Sequence, residues 1–125
     1  MQFVGIFFPQ FVTGSLENKK NAGGLHVTLA FRPSDDVWAQ LESYINTEVE
    51  VEIVGYGNDG QNEGLLVEFN SVPYFNNAPK HITLSTAKGA FPVNTKNLEF
   101  SEEALAEFKK THYVPDKIFG VVGIH

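Results

Sequence analysis

A strict alternation of acidic and β-branched residues most constrains the fold of this chain. It runs from Glu48 to Ile53 and predicts a strand over Glu48–Tyr56 with one exposed face. The triplet Asn58-Asp59-Gly60 then predicts a hairpin turn, and Gly64–Phe69 is the returning strand. Since a period of two does not fit a helix, this part of the chain must form a sheet.

Four more strands and two helices are expected around this hairpin. The strands are Gln2–Phe8, Leu25–Phe31, Lys80–Thr86 and Lys117–Ile124. The helices are expected to begin after the N-cap residues Ser34 and Ser101, and the first is expected to continue through Ile45. The element order β, β, α, β, β, β, α, β predicts one α+β domain over residues 1–125, with mostly antiparallel strands.

Two segments between these elements are expected to be loops. Thr13–Gly24 is rich in Gly, Ser and Asn, which predicts a mobile loop of a length often associated with function. Gly89–Asn94 contains Gly89 and Pro92 and predicts a second, shorter loop.

Composition excludes several classes of protein. The 125 residues contain no cysteine, which rules out disulfides, zinc–thiolate sites and cysteine nucleophiles and favours a cytoplasmic location. Nine basic residues against 15 acidic ones give a charge of -6, which disfavours binding to extended nucleic acid. No apolar run reaches the ~20 residues of a membrane helix, and no secretory signal is expected at the start of the chain.

One tetrapeptide pattern occurs twice. His26-Val27-Thr28-Leu29 recurs as His81-Ile82-Thr83-Leu84, each time within a predicted strand. Because residues two apart share a strand face, each His and Thr should face away from the core side of its strand. If the two strands lie side by side, two imidazoles and two hydroxyls converge on one concavity.

Such a group of side chains suits a phosphodiester. One His can act as base and the other as acid, since an imidazole populates both protonation states near neutrality. The two Thr hydroxyls can donate to the non-bridging oxygens. The residues do not indicate which His is the base, nor whether water or a ribose 2′-hydroxyl attacks the phosphorus.

Paired His-x-Thr motifs on the strands of a small α+β chain resemble those of the two-histidine (2H) phosphoesterase superfamily. The resemblance implies a bilobal fold with pseudo-two-fold halves around a central cleft. It also implies metal-independent phosphodiesterase activity with His26, Thr28, His81 and Thr83 as catalytic residues. Substrates in that family include RNA 2′,3′-cyclic ends and cyclic oligonucleotide signals, and 2′,5′-linked oligonucleotides are a further possibility here.

Other residues are candidates for binding the substrate. Phe8, at the end of the first strand, and Tyr74, before the second motif, are candidates to flank a base. Ser85 extends the face of the second motif as a further hydroxyl. The cationic candidates for phosphate binding are Lys19, Lys20 and Lys88.

Metal-ligand spacings such as His-x-x-x-His are not found in the sequence, so no metal or cofactor is expected. The chain is expected to act as a monomer on a small nucleotide or an RNA end. Two alternatives remain: a catalytically inactive nucleotide-binding module of the same fold, and a structural or partner-binding protein that has kept the fold.

Overall fold

Six antiparallel strands in the described part of the chain form one sheet that curls into a nearly closed barrel. A computed structural model describes residues 1–21 and 23–125. The strands are β1 (Phe3–Phe7), β2 (His26–Phe31), β3 (Glu48–Asn58), β4 (Asn62–Glu68), β5 (His81–Thr86) and β6 (Lys117–Ile124). Their order in the sheet is β2-β1-β6-β3-β4-β5, so the two strands that carry the His-x-Thr-Leu motifs lie at its two ends.

The described residues also form two short α-helices beside the sheet, as expected for an α+β fold. They are α1 (Asp35–Leu41) and α2 (Glu102–Lys109). Both begin at the predicted N-caps, because the Ser34 side chain accepts a hydrogen bond from the Val37 amide and the Ser101 side chain accepts one from Ala104. The first α-helix ends earlier than expected and continues as the 3₁₀ turn Glu42–Tyr44, after which Asn46 has a positive φ of 71°.

The core lies on the side of the strands opposite to the histidines. Val27 and Leu29 on β2, and Ile82 and Leu84 on β5, are almost completely buried in it. This alternation was expected from the sequence. No helix within residues 1–21 and 23–125 is long and apolar enough to cross a bilayer.

The predicted mobile loop is instead attached to the sheet over its first half. Asn18 forms an antiparallel bridge to Thr86, with each backbone amide 2.8 Å from the other residue's carbonyl oxygen. Ser15 donates through both its amide and its hydroxyl to the Glu63 carboxylate, at 2.7 and 2.6 Å. The expectation of mobility was therefore wrong for this part of the loop, because partners 48 or more residues away hold it.

The second predicted loop is also more ordered than expected. Residues Pro92–Asn97 form a 3₁₀ helix, and its Thr95 is completely buried. The side chain of Asn62 holds the start of this helix by donating to the Phe91 carbonyl oxygen at 2.8 Å.

Candidate active site

Both His-x-Thr motifs open onto one cavity of about 550 Å³. His26 and Thr28 come from β2 and His81 and Thr83 from β5, and all four side chains line it. The strands are not hydrogen-bonded to each other, since they are the two ends of the sheet. They are brought together because the sheet curls, so the cavity lies between its ends.

The two histidines are fixed in the same way. The Nδ1 atom of His26 is 2.8 Å from the Gly24 carbonyl oxygen, and that of His81 is 2.6 Å from the Pro79 carbonyl oxygen. In both cases the carbonyl belongs to the residue two positions earlier. A carbonyl oxygen only accepts, so each Nδ1 carries the hydrogen and each Nε2 remains for proton transfer.

The strand pairing beside the motifs is also repeated. Gly5 on β1 is paired with Thr28, and Gly64 on β4 with Thr83. In both pairs the register shifts next to the glycine, and the pairing skips the Leu that follows the Thr. The two motifs therefore share their local backbone arrangement as well as their sequence.

Burial shifts the titration of both imidazoles in the same direction. It lowers the pKa of His26 below 6.5, with further lowering by the charges of His125 and His81, against the raising effect of the Gly24 carbonyl. Burial likewise lowers the pKa of His81, against the raising effect of the Pro79 carbonyl. The charge of His81 is the smallest of the contributions to the lowered pKa of His26.

Aromatic rings pack against both imidazoles. The imidazole of His26 is stacked on Phe3 with ring centroids 4.7 Å apart, and the rings of His125 and Phe7 are also stacked on Phe3, at 5.2 and 5.8 Å. The His81 ring is stacked less closely on Phe100, at 6.5 Å. These contacts restrict the rotation of each imidazole about its side-chain bonds.

The electrostatics of the cavity suit an anion. Of its described lining residues, Lys96 carries the permanent positive charge and none carries a carboxylate. Amide side chains contribute hydrogen-bonding groups, among them Asn21, which also donates to the Thr83 carbonyl oxygen at 2.9 Å. Although the protein has a net charge of -6, carboxylates are thus absent from the described lining of this cavity.

The six predicted substrate-binding residues are not brought to the cavity. Phe8 is buried in the core, where it contacts Phe11 edge-on. Ser85 is completely buried because the shift in strand pairing places it opposite Glu63, to which its hydroxyl donates at 2.6 Å. The Tyr74 hydroxyl donates to the Ala78 carbonyl oxygen at 2.7 Å. The exposed side chains of Lys19, Lys20 and Lys88 are also absent from the described lining.

Sequence reasoning missed Asn21, Thr95 and Lys96. Asn21 directly follows the two lysines that were considered, so the loop reaches the cavity one residue later than expected. Lys96 lies on the 3₁₀ helix Pro92–Asn97, two residues beyond the predicted loop Gly89–Asn94. The four consecutive polar residues Asn94-Thr95-Lys96-Asn97 have no apolar periodicity that would indicate such a helix.

No group of three or more His, Cys, Asp or Glu side chains suited to a metal ion occurs in the part of the chain that the structure describes. Comparison with protein-family models and with curated proteins gave no match to this chain.

Proposed function

We propose that this protein is a metal-independent phosphodiesterase of the two-histidine type. The observation that carries the proposal is that both Nε2 atoms are left available around one cavity, each on a ring held through Nδ1 by a carbonyl oxygen two residues earlier. The repeated Gly–Thr pairing supports a pseudo-two-fold arrangement with one motif in each half.

The mechanism requires one imidazole in each protonation state. The neutral ring takes the proton from the attacking hydroxyl, and the protonated ring gives its proton to the leaving oxygen. Attack by water opens a cyclic phosphate, whereas attack by a ribose 2′-hydroxyl produces one. Thr28 and Thr83 donate to the non-bridging oxygens, and Lys96 offsets their growing negative charge.

The proposed substrate is a small nucleotide. A volume of about 550 Å³ falls in the range of small-molecule sites and is too small for extended nucleic acid. Phe31, which is 60% exposed, can stack on a base at the rim, and the amides of Asn76 and Asn77 can bind base edges. These features suit a 2′,3′-cyclic phosphate, a 2′,5′-linked oligonucleotide or a cyclic oligonucleotide.

Both motifs come from one chain, so the proposal treats the protein as a monomer. The absence of cysteine from the sequence supports a reducing compartment such as the cytoplasm.

A panel of these substrates, resolved by chromatography, tests the proposal. We expect turnover of at least one, and a loss of at least ~10²-fold in kcat for His26→Ala and for His81→Ala. His112→Ala is the matched control, since His112 is stacked on Phe108 and is not in the described lining. Activity should persist in excess EDTA, and loss with rescue by a divalent ion contradicts the mechanism.

Near-normal turnover by both single variants on the true substrate overturns the catalytic assignment. Nucleotide binding without turnover by the unmodified protein indicates the alternative, a binding module of the same fold. A protein that binds no nucleotide instead favours a structural or partner-binding role.

A further inference from the structure

Three polar side chains connect the buried side of β4 to the cavity. Asn62 Nδ2 lies 3.1 Å from Thr95 Oγ1, and Thr95 Oγ1 lies 2.9 Å from Thr83 Oγ1. Asn62 and Thr95 are buried, with 1% and 0% exposure, whereas Thr83 lines the cavity. Neither Asn62 nor Thr95 has a part in the mechanism described so far.

The direction of the hydrogen bonds follows from what each group can do. Asn62 Nδ2 also lies 2.8 Å from the Phe91 carbonyl oxygen, which only accepts, so the amide nitrogen must face that side. Nδ2 carries two hydrogens and therefore donates its second to Thr95 Oγ1. Thr95 then has its own hydrogen left. The 2.9 Å separation of the two hydroxyl oxygens suits donation from Thr83 to Thr95 as well as the reverse, and only the reverse gives the buried Thr95 hydrogen an acceptor at this contact.

We propose that Asn62 and Thr95 are positioning residues that make Thr83 Oγ1 an acceptor on its buried side, so that the Thr83 hydrogen is directed into the cavity. This inference rests on the proposed function, in which that hydrogen is donated to a non-bridging phosphate oxygen. In the opposite arrangement Thr83 would donate to Thr95, and no hydrogen of Thr83 would be available to the substrate.

The methyl group of Thr95 has a separate, structural role. A β-carbon added to Gly64 would lie 2.5 Å from Thr95 Cγ2, so this methyl group is packed against the glycine. Serine at position 95 keeps the hydroxyl and loses the packing, whereas valine keeps the shape and loses the hydroxyl. The two substitutions therefore separate the two roles.

The first experiment compares Thr95→Ser and Thr95→Val. We expect Thr95→Ser to have a lower Tm, yet to keep kcat/KM within about twofold because its hydroxyl can still donate to Thr83. We expect Thr95→Val to lose about tenfold in kcat/KM on the substrate that the panel identifies. Thr95→Val also removes the acceptor of the buried Asn62 Nδ2 and should lower Tm as well, so kcat/KM is compared at a temperature at which both variants are folded. Equal kcat/KM of the two variants there shows that Thr95 is only structural and overturns the proposal.

A double-mutant cycle tests whether Thr95 affects kcat/KM through Thr83. Thr95→Val should be non-additive with Thr83→Val, because the second change removes the group on which the first acts. Thr28→Val is the matched control, since Thr28 lies on the other motif strand, and its effect should add to that of Thr95→Val. We call the hydrogen-bonded series Asn62–Thr95–Thr83 the relay. If the effects of Thr95→Val and Thr83→Val are additive, the relay is overturned.

Titration with inorganic phosphate, followed by NMR of the backbone amides of β5, makes the test independent of turnover. We expect phosphate to bind the unmodified protein and Thr95→Ser alike, and Thr95→Val about fivefold more weakly. This result without turnover of any nucleotide rejects the phosphodiesterase function and supports the relay. Equal phosphate binding by all three proteins, or no binding by any, overturns the relay.

Discussion

Gly5 and Gly64 hold equivalent positions beside the two histidine motifs, one paired with Thr28 and the other with Thr83. A β-carbon at Gly5 would lie 2.8 Å from the Val27 carbonyl oxygen, and one at Gly64 would lie 2.9 Å from that of Ile82. Val27 and Ile82 are the second residues of the two motifs. The close approach therefore places the same part of each motif against a glycine.

Alanine at either glycine should push its motif strand away from the neighbouring strand. We expect Gly5→Ala and Gly64→Ala each to lower the free energy of unfolding by about 1–3 kcal/mol, measured by urea denaturation. Gly60→Ala is a control for the contact, since a β-carbon there meets nothing within 4 Å, although its φ of +84° adds strain of its own. If Gly5→Ala and Gly64→Ala both leave the free energy of unfolding unchanged, the strands accommodate the added β-carbon without cost.

The pH dependence of activity should lie on the acidic side of neutrality. Burial lowers the pKa of both His26 and His81, and the proposed reaction needs one ring neutral and the other protonated. The bell-shaped profile of kcat/KM, which reports the free protein, should therefore have its maximum below pH 6.5. A maximum above pH 7.5 would contradict the roles given to these rings.

The same shifts set the sign of the stability change. The unfolded chain, in which each imidazole has its ordinary pKa near 6.5, binds more protons than the folded protein just below that pH. The free energy of unfolding should thus fall as the pH drops from 6.5 through the lowered pKa values. Replacing both histidines with Gln should flatten this part of the curve.

The role of the threonine hydroxyls can be tested separately from the shape of the threonine side chains. Thr28→Val and Thr83→Val keep the β-branched outline of the side chain, and each should cost about 2–4 kcal/mol in kcat/KM if the hydroxyl contacts the phosphate. The corresponding Ser variants should cost much less. Equal activity of the Val and Ser variants, with Tm recorded alongside, would refute direct contact between hydroxyl and phosphate.

Lys96 should act on substrate binding through its charge. We expect Lys96→Ala to raise KM by about threefold to fivefold at low salt, with a smaller effect at high salt because ions screen the interaction. Lys88→Ala is the matched control, since Lys88 is exposed and does not belong to the described lining of the cavity. Equal effects of the two substitutions would point to net charge rather than to a contact in the cavity.

Glu63 should be essential for attachment of the loop that begins at Thr13. Its carboxylate is completely buried and accepts hydrogen bonds from Ser15, Ser85 and Tyr56. Burial acts to raise the pKa of Glu63, but these hydrogen bonds outweigh it and hold the pKa below 4.5. Burial and the same carboxylate raise the pKa of Tyr56 to about 12.

Glu63→Gln replaces one carboxylate oxygen with an amide NH₂ group, which cannot accept a hydrogen bond from the neighbouring hydroxyls. We therefore expect the substitution to lower the free energy of unfolding by about 2–4 kcal/mol at pH 7. Hydrogen exchange should also become faster at the amides of Ser15 and Asn18. Ser85→Ala, which removes one of the donors, should have a smaller effect. Unchanged exchange in Glu63→Gln would show that the bridge between Asn18 and Thr86 holds the loop alone.

The strands and helix starts could be read from the sequence because their signals are local. The alternation around Val27 and Ile82, and the capping residues Ser34 and Ser101, each involve only a few neighbouring residues. Residues His26 and His81 could be paired because one motif is a copy of the other, although 55 positions separate them.

What the sequence could not supply depends on contacts between distant residues. Ser85 shares the period-two phase of His81 and Thr83, but a shift in strand pairing opposite Glu63 removes it from the cavity. The attachment of the loop through Ser15 could not be predicted, because its partner is a carboxylate 48 positions away. Charge, glycine content and periodicity contain no information on such pairings.

The central position of β6 has a consequence for synthesis of the protein. It is the last of the six strands in the sequence, yet it lies between β1 and β3 and pairs with both. A nascent chain emerging from the ribosome therefore contains both imidazoles before it contains the strand that joins the β1–β2 pair to the β3–β4–β5 group. The cavity between β2 and β5 can therefore form only after β6 has been synthesised and has paired with both β1 and β3.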